Sequence, residues 1–197
     1  QGESDLSYVS ELIVQVEAAL RDDAIMVLLS QVPPGYTRAR ERNGEILYYQ
    51  VETLIFGRAI ERALYPERFI IGCADPGKPL PAAYATYLES FGCPLLQMRY
   101  ESAELAKISI NCCLIASVTV ANTLAEVCEH IGADWAEIAP ALKLDRRIGE
   151  NSYLTPGMGI SGGNLERDLA TVDRLSRTTG TEAGLITAFQ RNSAHRK

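Results

Sequence analysis

The chain has 197 residues, 47% of them hydrophobic, with 19 Lys and Arg against 25 Asp and Glu for a formal net charge of −6. That length suits one domain or one and a fraction, and the composition excludes a disordered or low-complexity chain. An acidic chain without a basic block lacks the electrostatic footprint of a nucleic-acid binder, so no nucleic-acid partner is expected.

Leu6, Val9, Leu12, Ile13, Val16 and Leu20 recur at helical spacing after Asp5, a suitable N-cap, so residues 5–21 read as an amphipathic helix. Residues 24–29 form a buried strand that ends at Ser30-Gln31-Val32-Pro33-Pro34-Gly35, where two prolines and a glycine force a turn. Further short strands are expected at 46–50, 69–73 and 94–98, with a helix at 81–90. This alternation points to an α/β layer with parallel strands over residues 1–100.

From residue 101 the character changes. Residues 102–131 contain few polar residues, no proline and no glycine, which allows one helix of about 45 Å. Being apolar on most faces, it must be covered by the rest of the chain or by a second copy. Helices follow at 134–142, 165–178 and 182–196, giving an all-helical unit over 101–197. The uninterrupted apolar runs, 24–29 and 112–121, fall short of the roughly 20 residues that cross a bilayer, and the polar start is not a secretory signal. A cytoplasmic protein without a membrane partner is expected.

The five cysteines are odd in number and show no Cys-x-x-Cys spacing, so neither a disulfide framework nor a metal site is expected. Cys112, Cys113 and Cys128 fall in the long helix, where free thiols behave as small buried hydrophobes.

Gly157, Gly159 and Gly162 spell G-x-G-x-x-G, but this pattern binds a dinucleotide when it follows a strand and opens the helix of a βαβ unit. Here it sits among helices. Two readings remain: a helix connection using glycine at positive φ, or a bare backbone that lets a substrate approach the start of the helix near Leu165.

Five segments in register resemble the UDP-glucose/GDP-mannose dehydrogenase family. Ser30–Gly35 is similar to its S-T-V-P-P-G turn, and Pro66–Gly72 to its P-x-R-I-V-I-G strand. Ser102–Lys107 with Asn111 resembles S-A-E-x-x-K-x-x-x-N; Asp145–Gly149 resembles D-x-R-I-G; and Pro156–Asp168 resembles P-G-x-G-x-G-G-S-C-F-P-K-D. The resemblance covers only the middle of a family member. Relatives begin with an NAD-binding Rossmann half and finish with a second α/β domain for the sugar nucleotide. It implies an α/β fold in two parts: residues 1–100 as the C-terminal part of a Rossmann-like parallel sheet, and residues 101–197 as a long helix with an all-helical central dimerisation domain. A homodimer through the long helix, NAD as cofactor and a sugar-nucleotide substrate are implied with it.

The family oxidises the sugar C6 alcohol to a carboxylate in two hydride transfers, through an intermediate held on a cysteine thiolate. Such chemistry needs a nucleophile, an oxyanion stabiliser and an activated water. Lys107 and Asn111 lie four apart on one helix face, so an ammonium and an amide can aim at one developing oxyanion, the role the resemblance implies. Without it they would read as a solvated lysine and a surface asparagine. Asp168 matches the aspartate that positions the water and the amine; by itself it reads as a first-turn acid favoured by the helix dipole.

Glu52 matches the glutamate of N-P-E-F-L-x-E-G, which does general acid/base or water-orienting work. Arg147 matches an arginine that reaches the sugar nucleotide of the partner subunit, and otherwise is a surface residue in a charged run. Gly157 and Gly159 are implied to bind substrate, and Ser30 and Gln31 to border the cofactor. Three positions depart from the pattern: Asn164 stands at the nucleophilic cysteine, Gln31 at the threonine of the turn and Phe56 at the second acid. A carboxamide cannot form a thiohemiacetal, so oxidation to the acid is doubtful, and the alternative is an inactive member or fragment serving as a dimerisation or sugar-nucleotide-binding module.

Overall fold

The computed structural model describes residues 5–21, 23–41, 47–55, 57–160 and 163–197. They fall into two compact units, one up to Lys107 and one from Ile108 to Lys197.

The first unit opens with α1 (Ser7–Ala19). The N-cap is Leu6 and not Asp5 as expected; Asp5, one residue earlier, accepts bonds from the Ser7 amide at 3.0 Å and hydroxyl at 2.6 Å and so still satisfies a free N–H of the first turn. Strand β1 (Met26–Leu28) follows, then β2 (Leu47–Gln50), the short helix α2 (Ala59–Leu64), β3 (Phe69–Cys73), α3 (Ala82–Glu89) and β4 (Leu95–Arg99). The expected first residue of β2, Ile46, lies outside the described residues.

The strands form one sheet in the order β1-β2-β3-β4. β1 pairs parallel with β2 and β3 parallel with β4, as the alternation suggested, but β2 and β3 are antiparallel. A parallel pairing needs a crossover that returns the chain to its starting end. Among the described residues the connection from Gln50 to Phe69 holds α2, and it brings β3 back beside β2 in the opposite direction.

β3, Phe-Ile-Ile-Gly-Cys, is buried at every position. Its side chains pack with Tyr48, Tyr84 and Leu88, the two tyrosine rings lying 5.4 Å apart. Gly72 sits where a Cβ would meet Ala103 Cβ at 2.9 Å and Tyr100 Cα and Tyr49 Cβ each at 3.1 Å. This close approach, with the Tyr100 hydroxyl donating to the Leu47 carbonyl, seats the first turn of the next helix on the sheet.

That helix, α4 (Tyr100–Ile131), is 32 residues long and runs from the first unit into the second; Gly132 ends it at φ +75°. The apolar run 112–121 of the sequence is thus part of a longer apolar helix. Its most apolar 18-residue stretch has a mean hydropathy of 1.7, so by length and composition it is able to cross a bilayer, and 22% of that stretch is buried by this chain.

The second unit continues with α5 (Trp135–Leu144), α6 (Gly163–Thr179) and α7 (Gly184–His195). Asp134 caps α5 by accepting from the Ala136 amide at 2.8 Å. Two apolar clusters hold these helices to α4. One joins Ile115 to Ile160, Leu169, Ile186 and Phe189; the other joins Ala121, Ala125 and Cys128 to Trp135 and Leu154, with the indole N–H donating to the Leu154 carbonyl at 2.8 Å.

Gly72→Ala is expected to destabilise the chain by about 1–3 kcal/mol, because backbone and Cβ atoms that cannot rotate away receive the added methyl. Urea unfolding checks this; a change below about 0.5 kcal/mol would show that the helix is not seated as closely as described.

Candidate functional site

In the second unit, Asp168 lies in the second turn of α6 and is 2% exposed. The Asn111 side-chain amide donates to its Oδ2 at 2.6 Å, so two of the residues selected from the sequence meet across α4 and α6. Their neighbour Cys112 is half-buried against the Ile115 cluster. Burial first, then the charge of Asp168, pushes its thiol pKa up, which keeps it protonated and a poor nucleophile. Cys128 is buried as expected; Cys113 is exposed, because it lies on the uncovered side of α4.

Asn164 is exposed at the start of α6, and its side-chain oxygen accepts from the Arg167 guanidinium, which also donates to the Gly163 carbonyl at 3.2 Å. The carboxamide is therefore engaged along its own helix. Arg147 is likewise exposed and holds Asp145 through two bonds of 3.0 and 2.6 Å. The guanidinium keeps the Asp145 carboxyl below the usual carboxylate range.

The glycine loop is anchored. The Gly157 amide donates to Asn122 Oδ1 at 2.7 Å, and Arg196 Nε donates to the Gly157 carbonyl at 3.4 Å. A Cβ on Gly159 would stand 2.1 Å from the Ser193 carbonyl oxygen, while the Ser193 hydroxyl donates to the Ile160 carbonyl at 3.3 Å. Neither Gly157 nor Gly159 has a positive φ, so close backbone approach, and not the left-handed region, explains the glycine at 159. Gly162 lies outside the described residues.

In the first unit, Lys107 donates from Nζ to the backbone carbonyl of Glu52 at 2.7 Å. Ser30 is exposed and Gln31 half-buried at the turn after β1, and Phe56 lies outside the described residues. Gly35 takes φ +91° in that turn, a conformation that only glycine adopts without strain.

Sequence reasoning assigned no role to Glu104. Its carboxylate is fully buried on α4 and accepts from the Gly35 amide at 2.6 Å and the Thr37 amide at 2.8 Å, clamping the end of the turn to the helix. The signal was a charged residue between Ala103 and Ile108 on an apolar face. Burial raises the Glu104 pKa above the usual carboxylate range, and the bonds from Thr37 and Gly35 oppose this.

An acid with a raised folded pKa gives up stability as pH rises, because the unfolded chain ionises first. Wild type is therefore expected to lose stability relative to Glu104→Gln as pH climbs from about 4.5 through the raised folded value. Urea midpoints across that window measure it, and a pH-independent difference would contradict the burial of an ionisable group here.

Residues 101–194 match the model of the UDP-glucose/GDP-mannose dehydrogenase family, central domain. The chain is similar to a UDP-glucose 6-dehydrogenase of Rickettsia typhi, with 31% identity over 183 residues, covering 88% of this chain and 42% of the relative. A UDP-glucose 6-dehydrogenase of Pseudomonas aeruginosa is 29% identical over 100% of this chain and 46% of its own length. Among solved structures, a UDP-glucose dehydrogenase of the hyperthermophilic archaeon Pyrobaculum islandicum superposes with a TM-score of 0.82 at 28% identity, covering 98% of this chain and 47% of that one. The chain thus spans about half the length of the relatives it matches.

Proposed function

Because the chain belongs to the UDP-glucose/GDP-mannose dehydrogenase family, we propose that it serves NAD-dependent oxidation of the C6 alcohol of a nucleotide sugar, and that the oxidation stops at the aldehyde. The observation that carries the reading is the bond from Asn111 to the buried Asp168 carboxylate, one helical turn along α4 from Lys107.

The residues divide the work as follows. In the second unit the second N–H of the Asn111 amide stabilises negative charge developing on the C6 oxygen; the family resemblance gives the Lys107 ammonium of the first unit work of the same kind. Asp168 fixes the orientation of that amide. Glu52 orients water or takes a proton. Ser30 and Gln31 border the cofactor at the carboxyl end of β1, where ligands of open α/β sheets bind. The cofactor, when bound, accepts the hydride from C6. A glycine-rich pyrophosphate cradle between strand and helix is absent among the described residues, so they fit the edge of the cofactor only.

The first oxidation requires loss of a proton and a hydride from the alcohol and no covalent link to the protein. The second, as the family carries it out, starts from a thiohemiacetal. Asn164 offers no sulfur, and Cys112 is half-buried against the Ile115 cluster with its thiol pKa raised by burial. A catalytically silent module that binds the sugar nucleotide and dimerises is the second reading, favoured by the engagement of Asn164 with Arg167. In either case a cytoplasmic homodimer is proposed. Val120, Leu124, Val127 and Ile131 recur at intervals of four, three and four along α4 and are all exposed, Ile131 by 70%, which suits a second copy of the helix.

With NAD⁺ and UDP-glucose or GDP-mannose, the chain is expected to form at most one reduced cofactor per sugar with a trappable aldehyde, and Asn164→Cys to add the second equivalent. No reduced cofactor in either protein would sink turnover and leave the binding module. Light scattering is expected to give twice the chain mass; a monodisperse monomer would contradict the α4 interface.

A further inference from the structure

We infer that Asn122 is a positioning residue, whose side-chain oxygen fixes the glycine loop in the conformation that receives the sugar nucleotide. The inference rests on the nucleotide-sugar function proposed above and on the substrate-binding role that the family resemblance implies for Gly157 and Gly159.

Asn122 is 1% exposed, deep in an otherwise apolar stretch of α4, and its Oδ1 accepts from the Gly157 amide at 2.7 Å. Burying a carboxamide costs free energy unless its partners are met, so an apolar residue would serve packing better at this position. What the amide adds is a directional bond to one N–H of a loop.

Its place on the helix gives that bond a second meaning. Asn122 follows Asn111 by 11 residues, about 20° beyond three full turns at 100° per residue and about 16 Å along the axis. The two asparagines therefore share one face of α4. Asn111 holds Asp168 beyond the loop and Asn122 holds Gly157 at its start, so the rigid helix sets the separation of both ends.

The opposite side of the loop is closed by α7. Gly159 runs against the Ser193 carbonyl with no room for a side chain. α7 is in turn tied to the same stretch of α4, Asn192 to Thr123 at 3.0 Å and His195 to Glu126 at 2.9 Å. A loop of this composition would otherwise sample many conformations. Here it is held from two sides before any ligand arrives, which spares a ligand the cost of ordering it.

The test uses the intact chain and three variants at position 122, read by amide exchange and by UDP-glucose titration in ¹H–¹⁵N spectra. Asn122→Leu removes the acceptor, and Asn122→Asp keeps an oxygen in its place. Asn122→Ala replaces the leucine variant if that does not fold. Removal is expected to speed exchange at Gly157 about tenfold or more while Leu169 in the core is unchanged, and to abolish the UDP-glucose shifts of Gly157 and Gly159. Asn122→Asp is expected to restore both. Equal Gly157 exchange in all proteins, or acceleration that Asn122→Asp does not reverse, overturns the inference. Absence of UDP-glucose shifts in wild type, with the exchange pattern intact, rejects the ligand assignment and leaves the anchoring role standing.

Discussion

The hydrogen bond from Asn111 to the buried Asp168 carboxylate is the contact on which the second unit's polar architecture depends. An apolar helix such as α4 can slide against apolar neighbours at little cost, because dispersion and burial are non-directional. A buried carboxylate has no such freedom. It must find a donor at one distance and angle, and a miss costs the full desolvation penalty. α4 repeats this device along its length: Glu104 receives two backbone amides of the Pro-Pro-Gly turn, Lys107 reaches the Glu52 carbonyl, and Asn122 receives Gly157. Apolar burial makes the helix pack, and these polar side chains decide against what.

Much of this was legible in the sequence because it rests on local rules. β3 is named to the residue by an apolar run between Arg68 and Asp75, and α4 by 30 residues without Pro or Gly. Lys107, Asn111 and Asp168 stood out through spacing and family likeness, and the structure joins Asn111 to Asp168. The antiparallel β2–β3 pair was not legible, since strand direction depends on how the Gln50–Phe69 connection packs and not on the strands themselves. Glu104 and Asn122 were overlooked for a related reason. Their roles lie in backbone amides far along the chain, at positions 35, 37 and 157, and pattern on the helix shows only that a polar residue is out of place.

The departures from the family pattern fit one another chemically. On the proposed reading Asn164, exposed beside Arg167, stands where the family pattern has its cysteine, while burial and then the charge of Asp168 raise the thiol pKa of Cys112. On the proposed reading the oxyanion-stabilising residues are kept where the covalent step is not. This division is what separates an alcohol oxidation, which needs charge stabilisation and a hydride acceptor, from the aldehyde oxidation, which in this family also needs a nucleophile. One face of α4 is committed to polar and apolar partners within the chain, and Val120, Leu124, Val127 and Ile131 stay exposed on the helix.

The central claim, that a directional polar bond on the buried face of α4 fixes α6 against it, is tested most directly by a double-mutant cycle. Unfolding free energies of wild type, Asn111→Ala, Asp168→Ala and the double variant give the coupling between the two side chains, free of their separate packing effects. The account predicts a coupling of about 1.5–3 kcal/mol, as for a buried hydrogen bond to a charged group. Additive losses, with no coupling beyond experimental error, would contradict it.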